Sequence, residues 1–259
     1  MPMKAAVGSS LVQLGIPTIA LILAALFVWG VAHTSKQAEL APGAWRRHAL
    51  YALLGVTAFM GGIALLALSG ALARFDLKPP PMILWMTATL GSALGVGLSK
   101  AGRRLAEGLP FAALVGFQAF RLPLELVMHR AASEGVMPTV MSYSGYNFDI
   151  VSGSLALALG IALARGNVPR GFLVVFNAVG LLLLTVIVVI AFLATPLVRA
   201  FGDDQLNVWI TRFPYAWMSV MVASALLGHV LLLRKLGLSP AVARTPVATP
   251  PSGESAEYQ

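Results

Sequence analysis

Gln118, Arg121, Glu125 and His129 recur at intervals of three and four residues inside the otherwise apolar stretch 109–129. At 100° per residue they fall within about 80° of one another on a helix surface. Arg121 and Glu125 are four apart, the spacing of a helical ion pair. Pro123 lies between them and leaves the carbonyl of Ala119 without its helical donor. An ionisable group in an apolar span costs several kcal/mol and turns toward protein or water rather than lipid. The spacing therefore predicts an Arg121–Glu125 pair facing the interior, either as neutralised packing or as a binding site beside a kink.

A second polar cluster follows at 141–149, where Asn147 and Asp149 stand at the start of the next apolar segment. They can cap that helix by accepting its free N–H groups. They can also complete a pocket with Gln118, Arg121, Glu125 and His129, with Tyr143 and Tyr146 at its mouth. This six-residue set is the candidate ligand- or ion-binding site. Glu125 with His129 would suit proton transfer, but no nucleophile accompanies them and no catalytic residue is assigned. Met128, His129, Met137 and Met141 form a weaker alternative, because thioethers with a histidine suit Cu(I). Methionine as filler of irregular cores is the favoured reading of these residues, so no metal site is assigned.

Other polar positions read as structural. His33, His48 and His229 are expected near one membrane interface, and Asn177 and Thr185 as interhelical hydrogen-bonding groups. Gly91, Gly95 and Ser99 read as a ridge for close helix contact. The chain has no cysteine, which excludes disulfides and thiolate sites. No phosphate-binding loop, dinucleotide fingerprint, GxSxG or HExxH pattern occurs, and the residues name no cofactor.

The elements that must hold these residues are membrane spans. Of 259 residues, 58% are hydrophobic and 11% charged, whereas soluble domains carry about a quarter charged residues. Seven apolar segments emerge, at 14–32, 49–70, 82–99, 109–128, 148–164, 172–195 and 213–233. A span needs about 20 such residues, so the fold class expected is an all-α bundle of about seven transmembrane helices. The first segment lacks a clear cleavage site and is read as a helix rather than a signal peptide. Residues 1–236 form the bundle, and 237–259, rich in Pro, Ser, Thr and Ala, read as a disordered tail. Two other seven-helix plans fit poorly. The last segment holds no lysine to carry retinal, and Pro17 in the first segment has no counterpart in the fifth, as a parallel repeat would require.

Orientation follows from the cations. The loops on one side and the C-terminus hold eleven Lys and Arg, the other side six, and Arg121 lies within a span. The positive-inside rule places the N-terminus outside and the C-terminus in the cytoplasm. Trp85, Trp209, Tyr215 and Trp217 then belong to the outer interface and Trp29, Trp45 and Tyr51 to the inner one. The net charge of +8 contains no run of more than two cations, which argues against nucleic acid as a partner and for an anionic leaflet. Composition points to a bacterial inner membrane. The favoured function is a small transporter or solute- or ion-binding protein. The alternatives are a noncatalytic subunit or scaffold, with a membrane-protein partner or a second copy, and lastly a membrane-embedded enzyme. Cysteines introduced at Ser9 and Ser252 test the orientation. An impermeant reagent on intact cells should label position 9 alone, and the reverse pattern would reject it.

Overall fold

The computed structural model describes residues 8–38, 41–166 and 168–238. Among these residues the regular structure is helical and no strand occurs. The α-helices are α1 (Ser10–Gln37), α2 (Ala44–Leu68), α3 (Pro81–Leu98), α4 (Lys100–Gly108), α5 (Phe111–Phe117), α6 (Arg121–Ser133), α7 (Asp149–Arg165), α8 (Arg170–Leu193) and α9 (Met218–Leu238). Six stretches are long and apolar enough to cross a membrane: α1, α2, α3, the α5–α6 stretch Phe111–Ser133, α8, and Tyr215–Leu238. At 17 residues, α7 is slightly shorter than these. Lys4, Arg244, Asn167 and the tail from 239 onward lie outside the described residues. Gly237 and Leu238, assigned to the tail from sequence, continue α9.

The flanks of the bundle are apolar. Leu14, Leu65, Leu68 and Leu182 are each more than 60% exposed, an exterior that suits lipid and would aggregate in water. The interior is built around α9, which packs against α1, α3, α4, α5 and α8. Apolar helices gain little from hydrophobic association within lipid, so close packing must hold them. Glycine supplies it where α7 meets the α5–α6 stretch. A Cβ on Gly153 would stand 2.4 Å from the Leu122 nitrogen, and one on Gly160 2.9 Å from Gly116 Cα. On α3 the close approach is at Gly97, whose Cβ would meet Val230 Cγ1 at 2.7 Å. Gly91 and Gly95, read as that ridge from sequence, have nothing within 4 Å of a built Cβ. Small-residue spacing alone does not say which face finds a neighbour.

Two other expectations change. Trp209 is 3% exposed and belongs to the core rather than to an interfacial belt. Thr185 bonds the Leu181 carbonyl of its own helix at 2.8 Å, so it joins no second helix. The stretch after α6 turns through a 3-10 segment, Thr139–Met141, before α7. At this end Glu134 accepts the Ser9 N–H at 2.7 Å and pairs with Arg130, tying the start of α1 to the end of α6. These two donors, the Ser9 amide first, hold the Glu134 carboxyl below the usual carboxylate range.

Candidate functional site in the bundle interior

The break between α5 and α6 places the first polar groups. With no N–H on Pro123 to reach Ala119, the chain tightens into a 3-10 turn over Gln118–Phe120 and re-forms as α6 at Arg121. Gln118, Arg121 and Glu125 are each 1% exposed. Gln118 donates from Nε2 to the Ala225 carbonyl of α9 at 3.0 Å. This approach is open only because residue 228 is glycine, since a Cβ there would lie 2.3 Å from Gln118 Nε2.

Arg121 does not pair with Glu125. Its Nη1 donates to Asp149 Oδ1 at 2.9 Å and, at a longer 3.5 Å, to the Gly180 carbonyl of α8. The physical reason is the contact at Gly153. It presses α7 backbone onto α6 at Leu122 and sets Asp149, one turn earlier on α7, beside the guanidinium. Glu125 turns instead to Asn147, whose Nδ2 donates to Oε1 at 2.7 Å and also to the Met141 carbonyl at 3.1 Å. The Asn147 Oδ1 accepts the Asp149 N–H at 3.1 Å, so one amide both satisfies the first N–H of α7 and holds Glu125.

Glu125 Oε2 and Arg121 Nε and Nη2 are buried and have no hydrogen-bond partner among the described residues. Beside them is a cavity of about 70 Å³ lined by Arg121, Glu125, Asn147 and Asp149, with Met86, Met128, Met141, Met218 and Met221. It has room for a few water-sized groups. Met137 belongs to the surrounding core and does not line the cavity. His129 is set apart as well. Its ring stacks on Tyr143 with centroids 4.3 Å apart, and Nδ1 lies 3.4 Å from Ser144 Oγ. Of the six candidates, Arg121, Glu125, Asn147 and Asp149 therefore share one cavity, Gln118 braces α9 beside it, and His129 faces the loop. Tyr146 is exposed and lies against Phe201.

Sequence reasoning missed His229, which is fully buried rather than interfacial. It lies one turn from Ala225 on α9, and its Nδ1 is 2.9 Å from Asn177 Oδ1 on α8. With the amide oxygen accepting, Nδ1 carries the proton and Nε2 presents a lone pair. The ring edge lies against Gly180, where a Cβ would stand 2.3 Å from Cε1 and 2.6 Å from Nε2. Gly180 thus holds the histidine ring against its backbone and offers its carbonyl to Arg121. Beyond this level Leu173, Phe176, Leu232 and Leu236 form an apolar layer. No group of three or more His, Asp or Glu able to hold a metal ion occurs among the described residues. The sequence matches no family model, no curated protein and no solved structure.

The pairing predicts a specific pattern of stabilities. Arg121→Leu or Asp149→Leu should each cost roughly 3–5 kcal/mol, because the partner is left buried and charged. The double variant should recover part of that loss. Glu125→Gln keeps the acceptor for Asn147 and should cost under about 1.5 kcal/mol, as near-isosteric swaps do. Thermal unfolding in detergent measures all four. Additive losses for Arg121 and Asp149 would show that the two are not coupled.

Proposed function

We propose that this multi-pass membrane protein is a small transporter or ion-binding protein whose intramembrane ligand is a proton held at Glu125. The observation that carries this reading is a charge count. The site contains one guanidinium and two carboxylates, and the guanidinium is bonded to Asp149. Glu125 is 1% exposed, has no ion pair among the described residues and borders a cavity. An unpaired carboxylate in so apolar a setting is very costly and takes up a proton or a cation instead. Five thioethers and one free carboxylate oxygen make a poor cage for a hard cation, which prefers several oxygen ligands. A proton fits without further ligands.

The mobile element in this reading is the α5–α6 break, where Pro123 and the 3-10 turn allow a change of angle beside the site. Neutral Glu125 would keep its Asn147 contact, and loss of the proton would leave a buried net negative charge that favours opening toward water. The seventh span is α7, held between α6 and α8. The N-terminus is outside and the protein resides in a bacterial inner membrane.

Proteoliposomes carrying an internal pH-sensitive dye test this. An imposed membrane potential, negative inside, should drive acidification faster than in empty vesicles, and Glu125→Gln should reduce that rate at least tenfold. Equal rates for the two proteins would contradict the reading.

A further inference from the structure

A second, larger cavity lies on the other side of α9, apart from the polar site. It is a groove of about 700 Å³ between α1, α2, α3, α5 and α9, nearly all of its walls apolar. That volume falls in the range of small-molecule and lipid sites. The groove extends along α2 from Tyr51 to Met60, about 14 Å at 1.5 Å per residue.

Its two ends differ. Toward Met60 it is lined by Phe59 and Val220. Just beyond its end at Tyr51, toward the start of α2, stands a basic cluster that does not itself line the groove. His48 lies one turn before Ala52 on the same face of α2, and its Nδ1 is 3.2 Å from Ser35 Oγ of α1. Arg47 adjoins His48 on α2, and Arg104 adjoins Leu105, which lines the groove. Arg104 is brought there by α4, which crosses α1 so that Leu105 lies against Gly30 and Gly108 against Thr34. No ion pair reaches Arg47 or Arg104 among the described residues, and the adjacent Glu107 is taken by Arg103 at 2.8 Å. The two guanidinium charges of Arg47 and Arg104 are left without a counter-ion of their own unless an anion lies between them. Trp29 and Tyr51, 56% and 61% exposed, mark the same end. Such aromatic rings sit at the headgroup level of a bilayer.

From this juxtaposition we propose that the groove binds one anionic phospholipid, its phosphate on Arg47 and Arg104 and an acyl chain along α2. An apolar channel with a cationic mouth at headgroup depth selects an amphiphilic anion, and basic pockets between spans hold acidic lipids in this way. Gly55 lines the channel with nothing within 4 Å of its would-be Cβ, so the wall is open where the chain would lie.

The test is native mass spectrometry with thermal unfolding of the full chain in detergent, titrated with phosphatidylglycerol, phosphatidylcholine or inorganic phosphate. Phosphatidylglycerol should be retained at one per chain and should raise the unfolding temperature, and the other two should not. The Arg47→Gln/Arg104→Gln variant should lose at least tenfold in apparent affinity. Gly55→Phe should lose retention with both arginines intact. Lys100→Gln/Arg165→Gln removes the same charge from outside the groove and should bind as the parent does. Equal retention of phosphatidylcholine, equal stabilisation by inorganic phosphate, or an equal loss in the control variant would overturn the proposal. So would a second copy of the chain occupying the groove in place of lipid.

Discussion

The constraint on which the interior depends is the solvation of the Arg121 guanidinium. A side chain 1% exposed within an apolar bundle keeps its charge only if protein groups replace water around it. Asp149 supplies the counter-charge and Gly180 a carbonyl, from two different helices. Arg121 therefore fixes α6, α7 and α8 relative to one another. The glycines follow from it. Gly153 lets α7 come close enough to bring Asp149, and Gly180 leaves room for the His229 ring while its own carbonyl accepts from the cation. Once Asp149 is taken, Glu125 is the carboxylate left over, and Asn147 is the neutral group that steadies it.

The polar face was legible because charge is scarce in this chain. Against apolar neighbours, Gln118, Arg121 and Glu125 stand out at helical spacing, and burial follows from the cost of facing lipid. That Asp149 shares a pocket with Arg121 was expected, but that it is the ion-pair partner was not legible. Spacing of four favours Glu125 within the helix, and nothing in the sequence reveals that Gly153 draws Asp149 closer. The His229–Asn177 contact joins residues 52 apart. A lone histidine in an apolar helix carries no periodic signal, so its burial was invisible. Methionines 86, 128, 141, 218 and 221 come from four separate stretches of chain, and only the packing of α3, α6 and α9 with the loop before α7 shows that they line one cavity.

The same helix α9 separates two environments. Toward α6 and α8 it presents Ala225 and His229 to the polar site, and toward α2 and α3 it walls the apolar groove with Leu227 and Leu231. Gly228 lies at the boundary, lining the groove while leaving room for Gln118. A shift of α9 is therefore felt on both sides, which gives the groove a physical route to the polar site through Gln118 and the Ala225 carbonyl.

Infrared spectroscopy of the protein in liposomes at neutral pH bears most directly on the central claim, that Arg121 is spent on Asp149 and Glu125 holds a proton. The account predicts the carbonyl stretch of a protonated carboxyl in the parent protein, lost in Glu125→Gln. Absence of that band in the parent, or its persistence in Glu125→Gln, would contradict the account.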